Sequence, residues 1–371
     1  MSTNLTFPLG RESVRSMIYN PVLLHWRALC RASGLGLALW LFAGCGSEEG
    51  LSPSSDNPVI TTAPEDSTGT ADSLAIPTDS AGLTPTDTTA PTDSTPIIST
   101  LGASAGGIVF GTIQLPTSLL NTVHTGTLYG GQIDEVSALA KLTATKAKGG
   151  RLIIKMSKGA DSFIKNADGT FSFTKWKLLV DRFKKVNLKE FIDDGTIEGH
   201  YLIDEPHRTV RWGGKVVSQA TIEAMAKYSK SIWPTMPTFV RVVPSWMEAA
   251  PITYIHLDAA WLQYEAWRGD VTKVMAAEVA SAKRKGLGLA VGLNVLNGGN
   301  GTSRIAGTQG RWAMSASELR TYGTVLLNNT YTCTFYNWMW DSPYYSRSDI
   351  KSVMSELATK ARNHAKTSCR Q

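Results

Sequence analysis

Asp204-Glu205-Pro206 sets two carboxyl groups side by side where an apolar run, Gly199-His200-Tyr201-Leu202-Ile203, gives way to a proline. Carboxyl groups can donate and accept protons or face developing positive charge. The proline restricts the backbone beside them. Other chemistry-bearing side chains also stand at the ends of apolar runs: Tyr129, Arg241, Asp258, Tyr264, Glu265, Asn294, Asn297, Trp338, Trp340 and Asp341. Carboxylates, amides and aromatic rings together suit a ring-shaped ligand rich in hydroxyls, because polar groups bond the hydroxyls and aromatic faces cover the C–H side.

The elements that must position these residues alternate in type. Short apolar runs at residues 107–113, 125–130, 151–156, 197–204, 238–243, 254–262, 287–295 and 332–340 read as strands. Amphipathic stretches at 133–148, 174–183, 218–232, 271–285, 315–327 and 350–366 read as helices. Gly149-Gly150 and Gly286 mark helix stops, and Ser315 with Glu318 has capping-box spacing. Eight strands, most followed by a helix, predict a (β/α)8 TIM-type barrel over residues 105–371. An open doubly wound sheet is the competing fold, but no glycine-rich phosphate turn follows the first strand. In such a barrel the chemistry lies at the carboxyl ends of the strands. Asp204-Glu205 then closes the fourth strand, Asp258 to Glu265 belong to the sixth, and Asp341 follows the eighth.

With Tyr201-Leu202-Ile203-Asp204-Glu205-Pro206 on a fourth strand, the chain resembles glycoside hydrolase barrels of the large retaining group. There the fourth strand ends in Asn-Glu-Pro and its glutamate is the general acid/base, which implies that role for Glu205. That group keeps a nucleophilic glutamate at the end of strand seven, where this chain has Asn294 and Asn297 and no carboxylate. Glycoside hydrolysis normally uses two carboxyl groups. Three arrangements stay open. Glu265, Asp258 or Asp341 is the second carboxylate. Alternatively Asp204 and Glu205 form a substrate-assisted pair, as in hexosaminidase barrels. In the third, the mouth binds sugar without cutting it. Tyr129, Arg241, Tyr264, Asn294, Asn297, Trp338 and Trp340 are the expected sugar contacts. The structural alternatives are ion pairs of Asp204 or Glu205 with Arg208 or Arg211, of Asp258 with Arg241 or His256, and packing for the tryptophans. Strict alternation along a strand puts Asp204 and Glu205 on opposite faces.

Arg27 and Arg31 precede an apolar run from Leu35 to Phe42 that ends in Ala43-Gly44-Cys45, which is the pattern of an export signal, with Met17 a plausible start. Leu-Phe-Ala-Gly-Cys resembles the bacterial lipoprotein signal, which implies that residues 1–45 are a signal peptide, that Cys45 carries the lipid, and, with Gly46 following, an outer-membrane address. Residues 46–104 repeat Pro-Thr-Asp-Ser/Thr and are expected to form a disordered tether. Of four cysteines, Cys333 and Cys369 lie in the folded part and can form one disulfide. The net charge of +6 is spread without a basic block, so nucleic acid is not an expected partner. The expected partners are a carbohydrate and, through Cys45, a membrane. The reading predicts a monomer with no cofactor and no metal.

Overall fold

The computed structural model describes residues 107–308 and 310–369, so the signal segment, Cys45 and the Ser/Thr/Pro-rich stretch lie outside the described residues. Eight parallel strands close a barrel in sequence order: β1 (Val109–Ile113), β2 (Gly126–Tyr129), β3 (Arg151–Ile154), β4 (Ile197–Asp204), β5 (Thr238–Arg241), β6 (Ala259–Tyr264), β7 (Gly288–Leu293) and β8 (Thr332–Asn337). β1 pairs with β8, Val109 against Thr334, which joins the two edges. The chain is a (β/α)8 barrel. No helix among the described residues is long and apolar enough to cross a membrane.

Between strands run α1 (Ala138–Ala147), α2 (Phe173–Asp181), α3 (Lys189–Asp193), α4 (Gln219–Ile232), α5 (Pro244–Glu248), α6 (Val271–Lys285) and α7 (Ala316–Asn328), and α8 (Ser342–Ser346) and α9 (Ser348–Arg362) follow β8. Side chains of Ser172, Ser218 and Asp270 accept from the first-turn backbone of α2, α4 and α6, and Ser315 with Glu318 forms the predicted capping box on α7. Only a short 3-10 turn, Thr117–Leu119, separates β1 from β2.

The sixth strand departs from its predicted position. Residues 254–258 are irregular, and β6 begins at Ala259. Glu223 of α4 accepts the backbone N–H groups of Ile255, His256 and Leu257, so α4 holds this segment outside the sheet. Apolar composition alone did not separate the strand from its approach.

The barrel interior is filled by Ile113, Leu128, Ile153, Tyr201, Phe239, Ala259, Trp261, Ala290 and Tyr336, while Leu202, Val240, Leu262 and Phe335 pack outward against helices. Tyr336 reaches across from β8 and donates to Glu198 of β4 at 2.5 Å. A Cβ on Gly111 would lie 2.2 Å from that ring, so this strand position needs glycine. In β4 the pairing register shifts between Tyr201 and Ile203. Leu202 and Ile203 both pack on the helix side, and the next residue, Asp204, returns to the interior.

Cys333 and Cys369 are joined, Cα to Cα 5.0 Å. The bond ties β8 to the tail beyond α9. The tail lies at the amino-terminal pole of the barrel, where a Cβ on Gly288 would come within 2.5 Å of Cys369 O.

Candidate active site

Above the apolar interior lies a polar layer. Ile153 faces inward while Ile154 and Met156 face the helices, so Lys155 continues the inward face of β3. The same alternation places Arg241 above Phe239 on β5, and Gln263 and Glu265 above Trp261 on β6. Asp204 of β4 and Asn294 just past β7 complete an arc from the third strand to the seventh.

Asp204 and Glu205 share the same arginines. Asp204 accepts from Tyr201 Oη at 2.7 Å and from Arg241 Nε, and its other oxygen lies 2.7 Å from Arg211 NH1. Glu205 Oε2 accepts from Arg211 at 2.9 Å and Arg208 at 3.0 Å, and Oε1 is 3.3 Å from Arg241. Arg211 also bonds Asp161, and Lys155 Nζ stands 3.6 Å from Asp161. Three carboxylates and three largely buried cations thus alternate, with Arg208 at the rim.

The backbone explains how two adjacent carboxylates reach one cluster. Glu205 has φ +43°, which L-residues rarely adopt. Its N–H donates to Arg241 O at 3.1 Å, and its carbonyl accepts from Trp212 Nε1 at 3.0 Å and Arg208 N at 3.1 Å. The shift in β4 turns Asp204 inward, and the left-handed residue turns Glu205 back toward the same side. Strict alternation, which forbids this, does not hold past Tyr201.

Burial by itself raises the Asp204 pKa, but the guanidinium charges of Arg241 and Arg211 outweigh it and hold the carboxyl well below the usual carboxylate range. Burial lowers Arg241 and Arg211, yet Asp204 and its neighbours carry both above the ordinary arginine value. Lys155 is shifted down by burial, against the pull of Asp204 and Asp161. Burial and the Asp204 charge push the Tyr201 hydroxyl up. His207 is lowered by its half-buried position near Trp246.

The remaining predicted residues divide clearly. Glu265 accepts from Asn294 Nδ2 at 2.7 Å, with Arg268 Nε 3.6 Å away, so both belong to the polar arc. Asp258 does not. It precedes β6 at the amino-terminal pole, where it accepts from Thr238 N at 2.7 Å and pairs with Lys230 at 2.6 Å. Its predicted partners were Arg241 and His256. Arg241 is engaged by Asp204, and His256 Nδ1 by Glu223 at 2.8 Å. Asp341 is the N-cap of α8, accepting from Tyr344 N at 2.8 Å. Tyr129 faces the helix layer, with its hydroxyl 3.2 Å from Leu115 O, and Tyr264 packs at a tilt against Tyr322 of α7, ring centres 4.9 Å apart. Neither ring lines the mouth, because each sits on the outward parity of its strand. Asn297 braces its own loop through Thr308, with bonds of 2.8 and 2.9 Å. Trp338, half-buried, contacts both the interior and helix-side clusters, and the Trp338–Met339 peptide is cis. Trp340 stacks on Tyr345 at 4.8 Å.

Residues the sequence reading did not select also reach this end. Asp161 joins the ion-pair cluster from the loop after β3. Phe163, Trp267 and Trp312 stand exposed on the loops after β3, β6 and β7, at 47%, 62% and 40%. The available signal was an aromatic residue inside a polar loop following a strand.

No protein-family model and no curated protein matches the chain. Solved structures similar to it include a GH2 β-galacturonidase from Eisenbergiella tayi bound to galacturonate, 9% identical with a TM-score of 0.45 over 70% of this chain and 52% of that one. An endocellulase from Pyrococcus horikoshii in complex with cellotetraose is 10% identical, TM-score 0.47, over 68% and 92% of the two chains. Saccharomyces cerevisiae Gas2p with laminaritetraose and laminaripentaose is 9% identical, TM-score 0.46, over 72% and 68%. The chain spans about half the length of the β-galacturonidase. Likeness at this level assigns nothing further to the chain; the barrel rests on its own strand pairings.

Proposed function

We propose that the carboxyl end of this barrel acts on carbohydrate, hydrolysing a glycosidic bond with Glu205 as acid/base and Glu265 as the second carboxylate. The observation that carries the reading is Glu205 itself. A non-glycine residue is held at positive φ by hydrogen bonds on both sides, at the end of the fourth strand. Such strain concentrates at functional sites. Glu265 is the remaining choice for the second group: Asp258 stands at the opposite pole, Asp341 caps a helix, and Asp204 is committed to Tyr201, Arg211 and Arg241. Those commitments also speak against Asp204 as the orienting half of a substrate-assisted pair. The exposed rings of Phe163, Trp267 and Trp312 support a sugar ligand.

In the proposed reaction Glu205 gives up an arginine contact, takes up a proton from solvent, and passes it to the glycosidic oxygen as the carbon–oxygen bond breaks. Glu265 then either bonds the anomeric carbon and is displaced by water, or takes a proton from the water that bonds it; in both routes the alcohol leaves and the water oxygen ends on the sugar. The test is turnover of a panel of 4-nitrophenyl glycosides and polysaccharides. Glu205→Gln and Glu265→Gln should each lower kcat by about 10²–10⁴-fold while the folded barrel is retained. Undiminished turnover in Glu205→Gln defeats the assignment.

A second reading, sugar binding without cleavage, is favoured by a specific pair of observations. Three guanidinium groups already address Glu205, and Asn294 stands where the resembling hydrolases keep their nucleophile. Binding with no turnover by the wild-type chain decides for it.

We further propose export and lipid anchoring through Cys45, supported by the Leu41-Phe42-Ala43-Gly44-Cys45 sequence. Cys45→Ala should abolish radiolabelled palmitate incorporation and release the protein from the membrane fraction. Unchanged labelling refutes it.

A further inference from the structure

Gln263 is buried, 5% exposed, yet neither end of its side-chain amide has a hydrogen-bond partner among the described residues. A primary amide offers two N–H donors and an accepting oxygen, and leaving both ends empty in a folded interior is unfavourable. Each such group calls for an explanation.

The direction of the side chain follows from β6. Ala259 and Trp261 belong to the barrel interior, while Leu262 and Tyr264 pack against helices. Gln263 therefore points toward the barrel axis, one inward step above Trp261 and one below Glu265. Its neighbour in register on β7 is Gly292, which sets no side chain beside it. The other members of the polar layer are engaged: Asp204 with Arg241 and Arg211, Lys155 with Gly159 O, Glu265 with Asn294. Directly beneath, Trp261 Nε1 is also buried without a partner. Two buried groups without a partner thus stand one above the other on β6, just below Glu265.

We infer that Gln263 is a specificity-determining residue at the floor of the mouth, whose amide N–H donates to one hydroxyl of a bound sugar ring and whose oxygen accepts from its neighbour. The inference rests on the carbohydrate reading of this site and names the chemistry recognised: a pair of adjacent hydroxyls held in fixed geometry on one ring. A side chain that can give and take a hydrogen bond in one plane discriminates such a pair from a deoxy or alkylated ring, which would leave the buried amide unpaired.

The test compares the wild-type full chain with Gln263→Met on an array of neutral and uronate-containing oligosaccharides. Methionine keeps the length and volume and removes both polar ends. Wild type should bind at least one oligosaccharide. The variant should bind it tenfold or more weakly, with a melting temperature unchanged or raised because an unpartnered amide has gone. Should Gln263→Met not fold, Gln263→Asn, which withdraws the amide by one methylene, carries the same expectation. Equal binding by the folded variant overturns the role of Gln263 and leaves the carbohydrate reading standing. Equal binding with a lowered melting temperature marks the amide as satisfied within the fold and overturns it too. Failure of the wild type to bind any oligosaccharide overturns the carbohydrate reading and this inference together.

Discussion

Asp204 and Glu205 look equivalent in sequence and differ in the fold. Asp204 is an ion-pair anchor, committed through both oxygens, while Glu205 stands at the strained end of the strand. Breaking a buried pair by removing one partner leaves an uncompensated charge. Arg241→Met should therefore lower the unfolding free energy by about 3–5 kcal/mol, and adding Asp204→Asn should recover part of the loss. Denaturant melts of both variants check this; an unchanged Arg241→Met would show that Arg211 and Tyr201 suffice for Asp204. The place of the Asp-Glu-Pro corner at the end of a fourth strand was legible in the sequence, as was its possible pairing with Arg208 or Arg211. The positive φ was not, because nothing in the residue types around Glu205 requires it. Asp258 was misplaced for a related reason: one apolar run contained both an irregular approach and a strand, and side-chain hydrogen bonds from Glu223 decided where one ended.

At the scale of elements, seven of the eight strands lie where hydrophobic patterning put them, and the capping box on α7 was readable from Ser315 and Glu318. What patterning could not show was facing. Tyr129 and Tyr264 end their strands on the outward parity, and a strand-end residue can equally face the mouth or a helix. The β4 register shift also reverses parity locally, and it depends on how β5 pairs, not on the β4 sequence alone. The Cys333–Cys369 bond, an open question from spacing, ties the tail beyond α9 to β8 across a separation of 36 residues. Closing a loop of this length restricts the unfolded chain enough that Cys333→Ala should cost about 4 kcal/mol. Comparison of thermal unfolding with and without reductant measures it, and equal melting temperatures would place the bond outside the cooperative fold.

For the whole molecule, acid tolerance is set by buried neutral histidines as well as by the carboxylates. Burial lowers His124 to about 4 and His200 to about 3. Both fold as the uncharged ring, stacked on Phe110 and Trp176 respectively. Because their folded pKa values are depressed, the stability they contribute is fully present above the unfolded value near 6.5. It is lost as pH falls toward 4 and 3, at up to about 1.4 kcal/mol per pH unit for each histidine. Urea unfolding between pH 7 and 4 should show that slope, and His200→Leu should flatten it by one proton's worth; an unaltered slope contradicts the assignment. The barrel and its polar mouth converge on Glu205, and its role is read from the initial rate of glycoside hydrolysis by the full chain against Glu205→Gln, both shown to be folded. With Glu205 as acid/base, the wild type should turn over substrate and the variant should lose about a hundredfold or more of that rate. Equal rates, or a wild type that binds sugar and cleaves none, would contradict it.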